Sequence, residues 1–129
     1  MVRPKLLLID DEPKLADFVA QAAESCGYHA RIAKNDEDFR ALVVSERPAV
    51  IAVDLGMPGS DGVELLRFLA AENFTGPVVI ISGFDRRVLD SAFRLGEALG
   101  LRMAATLEKP TRLALLESLL SELKPTLAE

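Results

Sequence analysis

The chain has very few of the residues that build redox, disulfide and ring-stacking sites. Its 129 residues include one cysteine, one histidine, one tyrosine and no tryptophan. A single cysteine, Cys26, excludes an intramolecular disulfide, and with His29 alone it is too little for a metal–thiolate site. The scarcity of aromatic side chains also argues against a flat ring cofactor such as FMN.

The chain also lacks a basic surplus and long apolar runs. Fifteen basic side chains face twenty acidic ones, and the net charge of −5 argues against direct nucleic-acid binding by bulk attraction. The longest apolar runs have four or five residues, far short of the about 20 that span a membrane. We therefore expect one cytoplasmic domain, residues 1–129, with no membrane segment and no direct nucleic-acid partner.

Short apolar runs alternate with amphipathic stretches five times along the chain. The runs at 5–9 and 49–53 are continuously apolar, which is typical of parallel strands covered on both faces. Gly27 is expected to end the first helix in a left-handed conformation, and Asn35 to cap the second. The pattern predicts an α/β fold: a flavodoxin-like (βα)5 three-layer sandwich whose five-stranded parallel sheet has the order 2-1-3-4-5. Further strands are expected at 28–33, 78–81 and 101–107. One helix is expected to start at Pro13, and two others to follow Asn35 and Gly62. The last two helices are expected at 86–99 and 111–123.

Carboxylates follow two strands that this order makes neighbours. Asp10 and Asp11 follow the first strand, and Asp54 follows the third. Two unit charges at about 4 Å repel by about 4 kcal/mol at an effective dielectric of 20. Such a group of carboxylates is therefore expected to bind a cation, and few, solvent-open oxygen ligands suit Mg²⁺.

The fourth and fifth strands end in residues of complementary chemistry. Ser82 supplies a hydroxyl donor, and Lys109 supplies a compact cation suited to a phosphoryl oxygen. Together with the carboxylates, these residues predict a carboxylate nucleophile with positive charge on both sides of a phosphoryl group.

Four segments carry a resemblance to a known family. They are Leu8-Ile-Asp-Asp-Glu12, Val53-Asp-Leu-Gly-Met-Pro-Gly-Ser-Asp-Gly62, Ile80-Ile-Ser-Gly83 and Glu108-Lys-Pro110. In this order they resemble the four signature segments of the receiver domains of two-component response regulators. The resemblance covers essentially the whole chain and implies a phosphorylation switch rather than an enzyme acting on another substrate.

The resemblance implies a role for each matching residue. Asp54 would be the phosphoacceptor, served by a histidine kinase or a phosphotransfer protein. Asp11, Asp54 and the Gly56 carbonyl would ligate Mg²⁺ directly, and Asp10 would act mainly through a metal-bound water. Ser82 would donate a hydrogen bond to the phosphoryl group.

Lys109 would pair with that phosphoryl group, and the resemblance further implies that the Lys109–Pro110 bond is cis. The domain would catalyse only its own phosphorylation and dephosphorylation.

Two segments depart from the usual receiver pattern. Many receivers have Tyr or Phe three residues before the lysine, as part of their switch, where this chain has Thr106. Residues 86–102 make the span between Ser82 and Lys109 longer than usual and resemble the fourth-helix region of receivers that precede cyclic-di-GMP phosphodiesterase domains. We expect helix four, strand five and helix five to form the output surface. Its partner would be a second copy of the domain or a C-terminal output domain outside these 129 residues, with Arg86, Arg87 and Arg94 as candidate contacts.

Three other functions are weighed against a working switch. A flavin carrier would need a phosphate-binding loop where Asp10, Asp11 and Glu12 stand. An aspartate-nucleophile phosphatase would need a second acid at Gly56. A receiver that is never phosphorylated is the third, although every catalytic position of the family pattern is filled.

Overall fold

The computed structural model describes residues 3–57, 61–83 and 86–127. Strands and helices alternate through five units, as the sequence predicts, and a short 3₁₀ turn follows the last helix. The strands are β1 (Lys5–Ile9), β2 (His29–Ala33), β3 (Val50–Asp54), β4 (Pro77–Ser82) and β5 (Arg102–Glu108); the helices are α1 (Pro13–Ser25), α2 (Asp36–Glu46), α3 (Gly62–Ala71), α4 (Arg86–Ala98) and α5 (Leu113–Leu123).

The strands form one parallel sheet of order β2-β1-β3-β4-β5, which confirms the predicted topology. Alternate residues along the strands point to opposite faces, so the core forms two apolar layers. One layer lies against α1 and α5, and the other against α2, α3 and α4. Across the part of the chain that is described, no helix has the length and apolar character needed to cross a bilayer.

Local signals in the sequence set most of the helix ends. Gly27 and Gly100 adopt φ values of 91° and 88°, the left-handed conformation expected where a helix stops. The Asn35 side chain accepts a 2.8 Å hydrogen bond from the Asp38 N–H and so caps α2 as predicted. Asp61 caps α3 in the same way, through the N–H groups of the first turn, a cap that the sequence analysis did not identify.

The last helix starts later than predicted. It begins at Leu113 rather than at Thr111. The Thr111 hydroxyl donates a 3.0 Å hydrogen bond back to the Glu108 carbonyl, so this residue belongs to the turn that leaves β5. Serine and threonine commonly stabilise turns through such side-chain-to-backbone bonds.

Helix α4 packs closely on β5. A Cβ atom added at Gly96 would collide with the Met103 sulfur, so the glycine allows the two elements to approach. The register between β4 and β5 shifts between Val78 and Val79. Beyond the shift Thr106 pairs with Ile80, a residue of the core layer that faces α4.

Candidate functional site

Four strand ends bring the predicted site residues to one edge of the sheet. Asp10 directly follows β1 and Lys109 directly follows β5, while Asp54 and Ser82 are the last residues of β3 and β4. Because all the strands are parallel, their carboxyl ends meet at this edge. The predicted convergence of these residues is confirmed by the geometry.

Three carboxylates form a tight group at this edge. Asp10, Asp11 and Asp54 each offer an oxygen, and these oxygens lie within 4.8 Å of one another. Asp10 and Asp54 are only 2% exposed, whereas Asp11 is exposed to solvent. The group therefore has a buried floor and an open side.

Asp10 has an oxygen that the protein itself leaves unsatisfied. Among the described residues its Oδ2 atom is buried without a hydrogen-bond partner, although the Lys109 Nζ atom lies 3.7 Å away. Burial raises the pKa of Asp10 and the charge of Asp54 adds to the rise, against the opposing effects of the Glu12 N–H and Lys109. A buried, incompletely paired carboxylate beside two others fits a divalent cation of the Mg²⁺ type.

Asp54 is held on both of its oxygens. Its Oδ1 atom accepts a 2.9 Å hydrogen bond from the Gly56 N–H, and its Oδ2 atom accepts one of 2.9 Å from Lys109 Nζ. The Leu55 N–H donates to the Ile81 carbonyl at 3.0 Å and so anchors the start of the loop on β4. The carboxylate is therefore fixed in position between a backbone donor and a cation.

The backbone of Lys109 is fixed to the neighbouring strand end. Its N–H donates a 2.9 Å hydrogen bond to the carbonyl of Ser82. Ser82 is fully buried. The Lys109–Pro110 peptide bond is cis, as the family resemblance implied.

The Lys109 ammonium is surrounded by negative charge. Its Nζ atom lies 2.9 Å from Asp54 Oδ2 and 3.7 Å from oxygens of both Asp10 and Glu12. Burial by itself would lower the pKa of Lys109, but the hydrogen bond to Asp54 and the charges of Asp54, Asp10 and Glu12 together raise it. Lys109 therefore stays a cation inside the site.

Glu12 is the residue near the site to which the sequence analysis gave no role. It ends the acidic run that follows β1, and this run was the only available signal. Nothing in local spacing indicates that its side chain reaches Lys109, because the two residues belong to opposite ends of the sequence.

The remaining sequence predictions concern residues 58–60, Thr106 and the Gly56 carbonyl. Residues 58–60 of the second signature segment fall outside the described residues. Thr106 is half-buried on β5, and the role of the Gly56 carbonyl as a ligand stays a prediction.

Comparison with known proteins gives the family. The family described as "Response regulator receiver domain" matches residues 6–121. The phosphate regulon transcriptional regulatory protein PhoB of Pseudomonas aeruginosa is 35% identical over 81 residues, which are 63% of this chain and 35% of PhoB. The nitrogen assimilation regulatory protein NtrX of Azorhizobium caulinodans is 40% identical over 80 residues, 60% of this chain and 18% of NtrX. The chain thus matches about a third or less of the length of these relatives.

Solved structures agree over almost the whole chain. The receiver domain of the Francisella response regulator 1452 is 29% identical, with a TM-score of 0.80 over 95% of this chain and 98% of that one. A response regulator from Colwellia psychrerythraea is 26% identical, with a TM-score of 0.84 over 97% and 99% of the two chains. These matches favour neither the flavin carrier nor the phosphatase. With the family match and the strand-end geometry together, the chain belongs to the response-regulator receiver domains, which are phosphorylation-dependent signalling switches and not metabolic enzymes.

Proposed function

We propose that Asp54 is the phosphoacceptor of this switch and that a histidine kinase or a phosphotransfer protein is its phosphoryl donor. The observation that carries the proposal is the placement of Asp54: a buried carboxylate that bonds Lys109 and stands beside Asp10 and Asp11. An Asp54 oxygen would form a bond to phosphorus while the donor's bond to phosphorus breaks, and the electron pair of that bond would leave with the donor.

The neighbouring residues have distinct tasks in this proposal. Lys109 would exchange its hydrogen bond to Asp54 for one to a phosphoryl oxygen and so stabilise the transferred negative charge. The Ser82 hydroxyl would donate to a second phosphoryl oxygen. The Gly56 N–H would keep the Asp54 side chain oriented while the transfer takes place.

The three carboxylates would hold Mg²⁺, with the Gly56 carbonyl as a further ligand. A bound Mg²⁺ supplies positive charge that offsets the repulsion between the phosphoryl oxygens and the carboxylates. Binding of that ion by Asp10 and Asp11 would offset the negative charges of these two carboxylates. They would then repel the incoming phosphoryl oxygens less. Self-catalysed dephosphorylation at the same residues, and a cytoplasmic location, are parts of the same proposal.

The proposal is tested by phosphorylation with a small donor. Wild-type protein incubated with Mg²⁺ and acetyl phosphate should gain one phosphate by intact mass, and the modification should be stable to acid and labile to base. Asp54→Asn should remove this gain. Asp17→Asn makes the same chemical change at an exposed position on α1 and should behave as wild type. A normal mass shift in Asp54→Asn would show that another residue accepts the phosphate.

We further propose the face formed by α4, β5 and α5 as the output surface, with a second copy of the domain or an attached output domain as its partner. Arg94 is exposed on this face, and the apolar side chains of Val88 and Leu115 are 42% and 56% exposed. Arg86 is already engaged with Glu108 at 3.2 Å and with Asp90 at 3.7 Å, so it is less available to a partner than the sequence analysis expected. The kinship with receivers that precede cyclic-di-GMP phosphodiesterases stays a prediction from one segment.

A further inference from the structure

Lys109 has three carboxylate neighbours that differ in burial. The oxygens of Asp54 and Asp10 belong to buried residues, whereas the Glu12 side chain is 66% exposed and reaches Lys109 Nζ from the solvent side, at 3.7 Å. The Lys109 side chain is itself 17% exposed. The ammonium thus lies between a buried pair of carboxylates and one at the rim of the site.

The main chain of Glu12 is fixed, while its side chain takes no part in capping the helix that follows. Its N–H donates a 2.9 Å hydrogen bond to Asp10 Oδ1, its carbonyl accepts one from the Ala16 N–H, and Pro13 follows it. Glu12 is the N-cap residue of α1, yet its side chain makes no capping hydrogen bond. Capping therefore does not explain the position of this carboxylate, and its oxygen approaches Lys109 instead.

The chemistry of the switch distinguishes Glu12 from the other two neighbours. When Asp54 becomes an acyl phosphate, its carboxylate loses the negative charge that holds Lys109. Asp10 belongs to the carboxylate group that fits a cation, so its charge would be offset by such an ion when one is bound. Glu12 is the neighbour of Lys109 whose charge neither event removes.

We propose that Glu12 is a positioning residue that keeps the Lys109 ammonium at the site while its partner changes from the Asp54 carboxylate to the phosphoryl group. This inference rests on the proposed role of Asp54. Without the Glu12 charge, the Lys109 side chain would point toward solvent for a larger fraction of the time. A bound donor would then less often have the ammonium beside its phosphoryl group, and the rate of transfer would fall. Because Glu12 is exposed, its contribution is that of a surface ion pair, worth roughly a 1.5- to 5-fold change in rate.

The test compares Glu12→Gln, which keeps the shape and removes the charge, with wild type and with the control Asp17→Asn. Phosphorylation is followed by intact mass over a range of phosphoramidate concentrations at 50 mM salt with saturating Mg²⁺. Glu12→Gln should lower the limiting rate by roughly 1.5- to 5-fold without raising the donor concentration needed for half-saturation. Glu12→Asp, which keeps the charge on a shorter side chain, should recover part of the rate, and Asp17→Asn should match wild type.

Two further measurements separate positioning from a general structural effect. In 1 M salt, where the screening length is about 3 Å, the difference between Glu12→Gln and wild type should disappear. In a Lys109→Met background, Glu12→Gln should cause no additional loss. A loss that persists in high salt or in the Lys109→Met background would overturn the inference, as would a Glu12→Gln limiting rate equal to that of wild type.

The outcomes also separate this inference from the function on which it rests. If wild type accepts phosphate on Asp54 and Glu12→Gln does so equally fast, the positioning role is wrong and the phosphoacceptor assignment stands. If wild type accepts no phosphate on Asp54, both are wrong.

Discussion

Tyr28 is a buried polar residue that joins the start of β2 to the last helix. It is 0% exposed, and its hydroxyl donates a 2.7 Å hydrogen bond to the Leu120 carbonyl in α5. Burial raises the pKa of Tyr28 to about 12, because a phenolate would lose its hydration there, and the nearby Cys26 adds to the rise. The protonated hydroxyl therefore donates this hydrogen bond between the start of β2 and α5 at neutral pH and well above it.

The raised pKa of Tyr28 predicts a loss of stability in alkali. Below pH 10 the hydroxyl is protonated in both the folded and the unfolded chain, so its contribution to the free energy of unfolding is complete. Between pH 10 and about 12 the unfolded chain loses the proton while the folded chain keeps it, and this contribution falls as the pH rises.

The measurement is direct, because the chain has one tyrosine and no tryptophan. Absorbance at 295 nm should titrate near pH 12 in the native protein and near pH 10 in denaturant. Tyr28→Phe should cost about 1 kcal/mol in the free energy of unfolding at pH 7 and progressively less above pH 10. A native titration midpoint near 10 would contradict the buried environment of the ring.

At the scale of elements, α4 is attached to β5 at two separate places. Near the site, Arg86 contacts Glu108, the residue directly before Lys109. At the other end of the helix, Gly96 allows close contact with Met103. Thr106 stands between these contacts on β5, at the position where the receiver pattern described in the sequence analysis has an aromatic switch residue. A change at Asp54 and Ser82 can therefore reach α4 through the end of β5, where the Lys109 N–H bonds the Ser82 carbonyl and Glu108 contacts Arg86.

We predict that α4 carries the conformational response. Fluoroberyllate, which mimics a phosphoryl group on a carboxylate, should change amide hydrogen exchange in residues 86–98, since Thr106 is too small to take up a shift of Ser82 by itself. The Asp54→Asn protein with the same reagent is the control and should show no change. Changes confined to α1, with α4 unaffected, would show that the signal leaves by another route.

At the scale of the whole molecule, the carboxylates of the site oppose folding when no cation is bound. Folding brings oxygens of Asp10, Asp11 and Asp54 within 4.8 Å of one another, whereas in the unfolded chain Asp54 is far from the adjacent pair Asp10 and Asp11. A cation that binds only the folded state stabilises it by mass action.

Mg²⁺ should therefore raise the melting temperature. At ten times the dissociation constant the gain is about 1.4 kcal/mol, or roughly 4–8 °C for a domain of this size. Asp11→Ala should lose the Mg²⁺ dependence and stay folded, because this residue is exposed, while Asp17→Asn should keep it. A wild-type melting temperature that does not respond to millimolar Mg²⁺ would mean that the carboxylates do not form a metal site.

The sequence by itself determined the architecture and predicted which strand ends carry the candidate site residues. Apolar runs alternating with amphipathic stretches predict five β–α units, and the right-handed crossover then restricts the strand order. Gly27 and Asn35 fix helix ends through backbone conformation and capping, which act within a few residues. Asp10, Asp54 and Lys109 could be placed at one edge of the sheet because each follows a buried strand.

Only the tertiary structure decided which of these residues touch. The hydrogen bond between Lys109 and Asp54 joins residues 55 positions apart, and the approach of Glu12 and the pairing of Arg86 with Glu108 depend on where long side chains point. The register shift between β4 and β5 likewise concerns two strands that only the tertiary fold brings side by side. Such contacts arise when distant segments pack together, and the sequence near each residue carries no signal of its distant partner.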